Sequence, residues 1–381
     1  MLSAAERETG LTDWGGDAYF EADFRRLLEA MSYSLRHESN LTRQGRAGAD
    51  LRLAALLEAR LEFIDDRKRQ TEITRQPITK PMFIVGLPRS GSTFLHTLMS
   101  QDPANRVPVT WEMMLPSPPA RDDRDAGTRI ARVEGILASM GLQTPEILAL
   151  HPFGARLPEE DHLMTEIGLL GDNLPAVWRM PAYNKQRSAT NNAVMFALHR
   201  MMLQTLQHGR RGERVLLKNP GHIFNLGPLF AEYPDALVVQ THRDPAKVIP
   251  SVAALIVMMR TNSSDDRPPP EKVAQGNVRA FADGLGKAIV FRQQPGMTQR
   301  FCDVHFRDLV TDPIRTVERV YTYFGLQLSR DAREAMQRWL ADPASHTPKG
   351  RHTLHDYGLD EQAIDGAFGD YMAYYGIVRE R

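Results

Sequence analysis

The sequence predicts an α/β fold with a central, mostly parallel sheet flanked by helices. Three observations predict it. An apolar run at 82–85 passes through a glycine-bounded loop at 86–91 into a helix opening at Ser92. Two further apolar runs, at 215–217 and 236–239, each end in a polar cluster: Lys218-Asn219-Pro220 and Thr241-His242-Arg243-Asp244-Pro245. Helix-period segments separate the runs, and strands alternating with helices build a parallel sheet covered on both faces.

In order along the chain, residues 20–35 and 53–64 read as helices. Leu53, Leu56, Leu57, Leu61 and Ile64 recur at helical spacing, with Arg52, Glu58, Arg60 and Glu62 off that stripe. Residues 1–79 are therefore expected as an N-terminal helical extension, packed on the main domain or on a partner subunit, and residues 80–381 as the α/β domain. Lys80-Pro81 breaks the helical pattern and enters the first strand. The helix after the loop stops before Asp102-Pro103. Val107, Val109 and Trp111 alternate over 106–112 and read as a short strand, leaving Glu112 on its other face.

Residues 115–124 read as a proline-rich, charged loop and 128–150 as helix. Pro158 can open a helix whose first turn carries Glu159, Glu160, Asp161 and His162, where acidic groups suit the dipole and cap or solvate the turn. A long amphipathic helix over 191–208 is closed by Gly209. Asp244 caps a helix that has Pro245 at its first position and runs to Met259. Residues 261–270 read as a mobile loop, followed by a helix and a last strand near 300–306. Helices over 313–324 and 330–340, a loop over 342–357 and a short helix complete the reading.

The 381 residues suffice for one large α/β domain with extensions or for two domains. Lys and Arg number 47, as do Asp and Glu, so no excess charge points to nucleic acid or an anionic membrane. The single cysteine, Cys302, excludes an intramolecular disulfide and fits a reducing compartment. The opening stretch MLSAAERETGLTDW lacks a cationic region followed by an apolar run, and the longest apolar run, 252–259, is far shorter than a bilayer span. A cytoplasmic protein without signal peptide or transmembrane segment is the expectation.

The loop and its flanks carry the chemistry. Gly86, Pro88, Arg89, Ser90, Gly91, Ser92 and Thr93 compose a phosphate cradle, in which glycines let successive N–H groups curl inward at the positive end of a helix dipole. The pattern is P-loop-like, Gly-x-x-x-x-Gly followed by Lys-Ser/Thr, but Ser92 stands where the lysine belongs. A triphosphate loop uses that lysine on the β/γ-phosphates, so this one must bind a less charged group or borrow a cation from elsewhere. Lys218 and Arg243 each sit just past a predicted strand, on the edge where open α/β sheets bind ligands. Ser251 lies about two turns into the helix after Asp244 and can face the same crevice, making with Arg243 a second phosphate site.

GLPRSGST at 86–93, the strand-end Arg243 and Ser251 eight positions on resemble the sulfotransferase superfamily. The late segment HFRDLVTDPIRTVERVYTYFGL at 305–326 is similar to another element of that family, so the resemblance spans about residues 80–360. It implies 3′-phosphoadenylyl sulfate (PAPS) as sulfuryl donor and no metal. The loop then holds the 5′-phosphosulfate and the Arg243/Ser251 pair the 3′-phosphate. Arg89 and Lys218 stand in for the missing cation, stabilising the leaving phosphosulfate oxygens. Lys218-Asn219-Pro220 and Trp111-Glu112 resemble the branch that contains the tyrosylprotein sulfotransferases, which implies Glu112 as the base that takes the acceptor proton. His222 is the runner-up base, with His151 and His162 behind it.

Lys349, Gly350 and Arg351 are loosely similar to the family's basic C-terminal segment over the 3′-phosphate. The N-terminal helices resemble those of bacterial members. The lysine-containing dimerisation motif of the cytosolic enzymes is not reproduced at Arg315-Thr316-Val317-Glu318, which leaves a homo-oligomer open. Met113, Met114, Phe153, Trp178 and Tyr183 can line an acceptor pocket or fill a core. The acceptor hydroxyl belongs to a small molecule, lipid or carbohydrate. Two rival readings stand beside this one. A P-loop kinase or ATPase needs a loop lysine and an acidic magnesium ligand; a silent nucleotide-binding relative needs neither Glu112 nor Lys218.

Overall fold

The computed structural model describes residues 1–119, 126–171, 173–210, 212, 214–342 and 352–380. The chain divides into two compact units. One comprises Met1–Ile78, Pro108–Arg211 and Met258–Arg267, the other Thr79–Val107, Gly212–Val257 and Pro268–Arg381.

The second unit holds the sheet. Its strands are β1 (Met82–Gly86), β2 (Asn105–Arg106), β3 (Arg214–Lys218), β4 (Leu237–His242) and β5 (Phe301–His305), in the order β2-β3-β1-β4-β5. Every neighbouring pair is parallel, as the alternation of strand and helix predicts. The central strand β1 is buried along its whole length, which is why it reads as an unbroken apolar run. Met82 and Ile84 pack into one cluster with Leu95 and Leu98 of helix Ser92–Met99 and with Val317 and Tyr321 of helix Pro313–Tyr323. Phe83 points to the other face and meets Tyr233 at 5.5 Å between ring centroids. Each such side chain contributes about 1.5–3 kcal/mol by leaving water, so β1 anchors the unit. The register sets Ile84 beside Lys218, Gly86 beside Thr241 and His242 beside His305. The carboxyl ends of four strands thus share one edge.

The first unit is helical, and residues 1–78 are part of it rather than a unit of their own. Thr42 caps helix Arg43–Arg69 by accepting the Gly45 N–H at 3.0 Å. This helix is buried on more than its leucine stripe. Arg60 donates to the carbonyls of Ile167 (3.1 Å), Trp14 (3.1 Å) and Tyr19 (2.7 Å), and burial lowers its pKa to about 10. Arg52 is hydrogen-bonded to Glu166, and Arg67 donates to the Met201 carbonyl at 2.7 Å. Arg52, Arg60 and Arg67 are therefore internal ties, each matched to a carbonyl or carboxylate.

Four expected elements differ. The helix expected over 128–150 is two, Gly127–Ser139 and Pro145–Leu148. The strand expected at 106–112 is a two-residue strand followed by helix Thr110–Met114. Pro108 lacks a ladder donor, and the N–H groups of Thr110 and Trp111 go to the carbonyls of Leu157 and Ala155, both at 3.0 Å. The helix expected to open at Pro158 starts only at Leu163, because Pro158 pairs with Val109 in an isolated bridge. The loop expected from Thr261 begins only at Ser264, since helix Pro245–Ser263 extends through Ser263, and Ser264 is buried and donates to the Ser39 carbonyl at 2.7 Å.

Candidate active site at the strand ends

The loop after β1 turns through positive φ at Gly86 (132°), Arg89 (66°) and Gly91 (94°). At Gly86 a Cβ would stand 2.4 Å from the Thr241 carbonyl oxygen, so only glycine fits. Arg89 holds its left-handed conformation without that excuse, at a cost of about 1–3 kcal/mol. Both of its ends are engaged. Its Nε donates to Ser251 Oγ at 3.1 Å, and its carbonyl accepts from Arg243 Nη1 at 3.0 Å. The structure thus joins loop, strand end and helix in one polar group.

Ser90 is fully buried. Its Oγ lies against the Leu87 carbonyl and 2.6 Å from Thr241 Oγ1, so this side chain braces the loop. Ser92 is buried and Thr93 half-buried in the first turn of helix Ser92–Met99. Pro88 is half-buried within the loop.

Arg243 is the most fully determined of the cations. Its guanidinium lies 3.9 Å from the centroid of the Phe306 ring. Its Nε and Nη2 grip the Glu380 carboxylate, each at 2.9 Å. Asp244 is buried beside it, accepts the Ala246 N–H at 2.9 Å as the expected cap, and also takes Arg379 at 2.6 Å and the Glu380 N–H at 2.9 Å. Behind this edge, His242 is tied to Asp303 (2.8 Å) and Tyr371 (3.1 Å), and Arg292 to Asp303 (2.6 Å). Burial acts to raise the Asp303 pKa, but hydrogen bonds from Arg292 and His242 hold it well below the usual carboxylate range. This network fixes the end of β4, and with it the start of the Arg243 segment.

Lys218 ends β3 with 0% of its surface exposed, a burial that an ammonium accepts only where it is partnered or used. Asn219 follows and caps the next turn through the Gly221 N–H at 2.9 Å. His222 is buried edge-on to Phe83, with ring centroids 5.7 Å apart.

Glu112 lies in the first unit, in the first turn of helix Thr110–Met114 and 6% exposed, so it is neither strand-borne nor open to solvent. Its Oε2 accepts the Val109 N–H at 3.1 Å and its Oε1 accepts from Arg210 at 2.9 Å. His151 is paired with Glu159 at 2.8 Å, and His162 Nδ1 lies 3.5 Å from Glu166. Glu159, Asp161 and His162 are buried, which corrects their reading as a solvated first turn. Met113, Met114, Trp178 and Tyr183 are core side chains, and the Tyr183 hydroxyl donates to the Leu169 carbonyl at 2.8 Å. Lys349, Gly350 and Arg351 lie outside the described residues.

Residues 81–330 match the family model described as Sulfotransferase family, well over half of the chain. The chain belongs to the sulfotransferase family. This sulfotransferase is 26% identical over 309 residues to the omega-hydroxy-beta-dihydromenaquinone-9 sulfotransferase Stf3 of Mycobacterium bovis, a match covering 78% of this chain and 76% of that protein. The protein of the same name from Mycobacterium tuberculosis gives the same figures. Among solved structures, sulfotransferase STF1 from Mycobacterium tuberculosis H37Rv superposes with a TM-score of 0.81 at 28% identity, over 97% of each chain. Sulfotransferase STF9 from Mycobacterium avium gives a TM-score of 0.84 at 22% identity, covering 100% of this chain and 96% of that one, a likeness of fold.

The family match sets aside the kinase reading and the silent-module reading, and the relatives are bacterial, in line with the expectation. Among the described residues, no helix is long and apolar enough to cross a membrane. Sequence reading missed Thr241, Phe306 and Glu380, which brace the strand edge of the second unit, and Arg210, which pairs with Glu112 in the first unit. Thr241 and Phe306 adjoin strand ends and were within reach of a strand-end argument; Arg210 and Glu380 carry no local signal.

Proposed function

We propose that this sulfotransferase uses PAPS and transfers its sulfuryl group to a hydroxyl on a lipid-like acceptor. The observation that carries the reading is the grip of Arg243 on a carboxylate, beside Arg89 and Ser251, at the carboxyl end of β4. Glu380 supplies there a stand-in oxyanion, and a guanidinium that takes a carboxylate two-pronged takes a phosphate in the same way. The chain's donors fit the two anionic ends of PAPS. Residues 86–93 offer a cradle for the 5′-phosphosulfate, and Arg243 with Ser251 a seat for the 3′-phosphate.

PAPS, when bound, supplies an activated sulfuryl group whose leaving oxygen gathers charge as the S–O bond lengthens. Lys218 and Arg89 are the cations to neutralise that charge, the task that a metal and the loop lysine share in triphosphate enzymes. Glu112 takes the proton of the acceptor hydroxyl, and Arg210 fixes the direction of its carboxylate. The acceptor class follows the relative named for a hydroxylated menaquinone derivative.

Calorimetric titration tests the donor. The desulfonated product, PAP, binds and ATP with magnesium does not; tight ATP binding without PAP binding overturns the reading. Glu112→Gln and Lys218→Ala keep PAP binding but lower turnover of radiolabelled PAPS by about 10²–10⁴-fold. Hydroxylated menaquinones, assayed beside phenols and sugars, identify the acceptor class.

A further inference from the structure

The segment that follows helix Glu361–Tyr375 returns to the strand edge and places a carboxylate on the arginine assigned to the 3′-phosphate. That return is built rather than incidental. Arg379 reaches both Asp244 and Asp365, and the Glu380 N–H donates to the second oxygen of Asp244 at 2.9 Å. Asp244 is buried, so the two residues are pinned from a fixed point one position beyond Arg243. Nε and Nη2, the paired donors of the guanidinium fork, both face Glu380, while Nη1 is committed to the Arg89 carbonyl. The fork that would receive a phosphate is the fork that Glu380 fills. The pair is also partly open, with side-chain exposures of 17% and 30%, so water can attend an exchange of partners.

Resting on the PAPS reading above, we propose that Glu380 is an exchange partner for Arg243, competing with the 3′-phosphate and easing release of PAP after transfer. The physical reason is mass action on one guanidinium fork. While Glu380 occupies it, only the open fraction binds a 3′-phosphate at full strength, and apparent affinity falls by that fraction. As PAP departs, the carboxylate takes the fork and spares it an unpaired charge. A nucleotide with a 3′-hydroxyl leaves the pair intact and does not feel the competition. Glu380 is thus specific to the phosphorylated nucleotide, and it acts on holding and release rather than on the bond-making step.

Titrations with PAP and with adenosine 5′-monophosphate test this on the full chain. In Glu380→Gln, a near-isosteric change at a partly open position, the PAP Kd falls about tenfold and its dissociation slows, while the monophosphate Kd stays constant. In an Arg243→Ala background, Glu380→Gln leaves the PAP Kd unchanged. An unaltered PAP Kd in Glu380→Gln, or an equal gain for both nucleotides, overturns the exchange role. Failure of Arg243→Ala to weaken PAP in the parent chain overturns instead the assignment of the 3′-phosphate site.

Discussion

Two ion pairs, one in each unit, use the same chemistry to different ends. Arg52 and Glu166 in the first unit are closed off, with side-chain exposures of 4% and 3%. Burial acts to raise the Glu166 pKa, but Arg52 and His162 hold it low; burial acts to lower that of His162, but Glu166 holds it high. Arg243 and Glu380 in the second unit are several times more exposed, at 17% and 30%. A closed pair cannot change partners without stranding a charge in a medium that penalises it heavily. An open pair can, because solvent compensates each side during the exchange. The contrast teaches that the closed Arg52–Glu166 pair is architecture, whereas the open Arg243–Glu380 pair can exchange its partner.

The largest expected effect breaks the closed pair. Glu166→Gln leaves Arg52 uncompensated and destabilises the protein by about 3–5 kcal/mol, read as a lowered midpoint in thermal unfolding. Joint replacement by Arg52→Met and Glu166→Leu recovers most of that loss, since neither charge then remains buried. Arg243→Ala is expected to do the reverse. Its midpoint stays close to the parent's, while PAP binding weakens by about 10–100-fold, the worth of a charge-assisted pair of hydrogen bonds. If Arg243→Ala unfolds as readily as Glu166→Gln, the two pairs are not different in kind.

The same contrast explains what was legible in the sequence. The sheet, the loop and the strand-end cations could be read because each depends on neighbours along the chain: an apolar run, glycines at fixed spacing, a basic residue where the run stops. Gly86 needed no structure to be singled out. The closed pair could not be read, because Arg52 finds Glu166 114 positions away and only the helix stripe is local. Glu112 lies on a helix, not beside the strand that its neighbours suggest. Val109 and Trp111 alternate as a strand would, yet the N–H groups of Thr110 and Trp111 are claimed by Leu157 and Ala155. Glu380 lies 137 positions from Arg243, and nothing about a glutamate beside an arginine announces a long-range partner.

The smallest expected effect sets the two units against each other by pH. His162, in the first unit, has its folded-state pKa raised by Glu166 against the pull of burial. Its stabilisation is complete below the unfolded value of about 6.5 and is lost as pH rises through the folded value. His242, in the second unit, has its pKa lowered by burial, with His305 and Arg292 adding to that and Asp303 opposing it. Its stabilisation is complete above about 6.5 and is lost as pH falls toward the folded value. Asp303, also lowered, adds a second loss below about 3.9. Raising pH from 6 to 8 therefore loosens the surroundings of His162 and tightens those of His242. Hydrogen exchange read by mass spectrometry resolves the two, with helix Leu163–Glu166 exchanging faster and β4 and β5 slower at the higher pH after correction for intrinsic rates. His162→Gln should abolish the first change and leave the second, with an effect on the unfolding midpoint of about one to two degrees. Equal responses of both units in that variant would mean that His162 does not carry the alkaline loss.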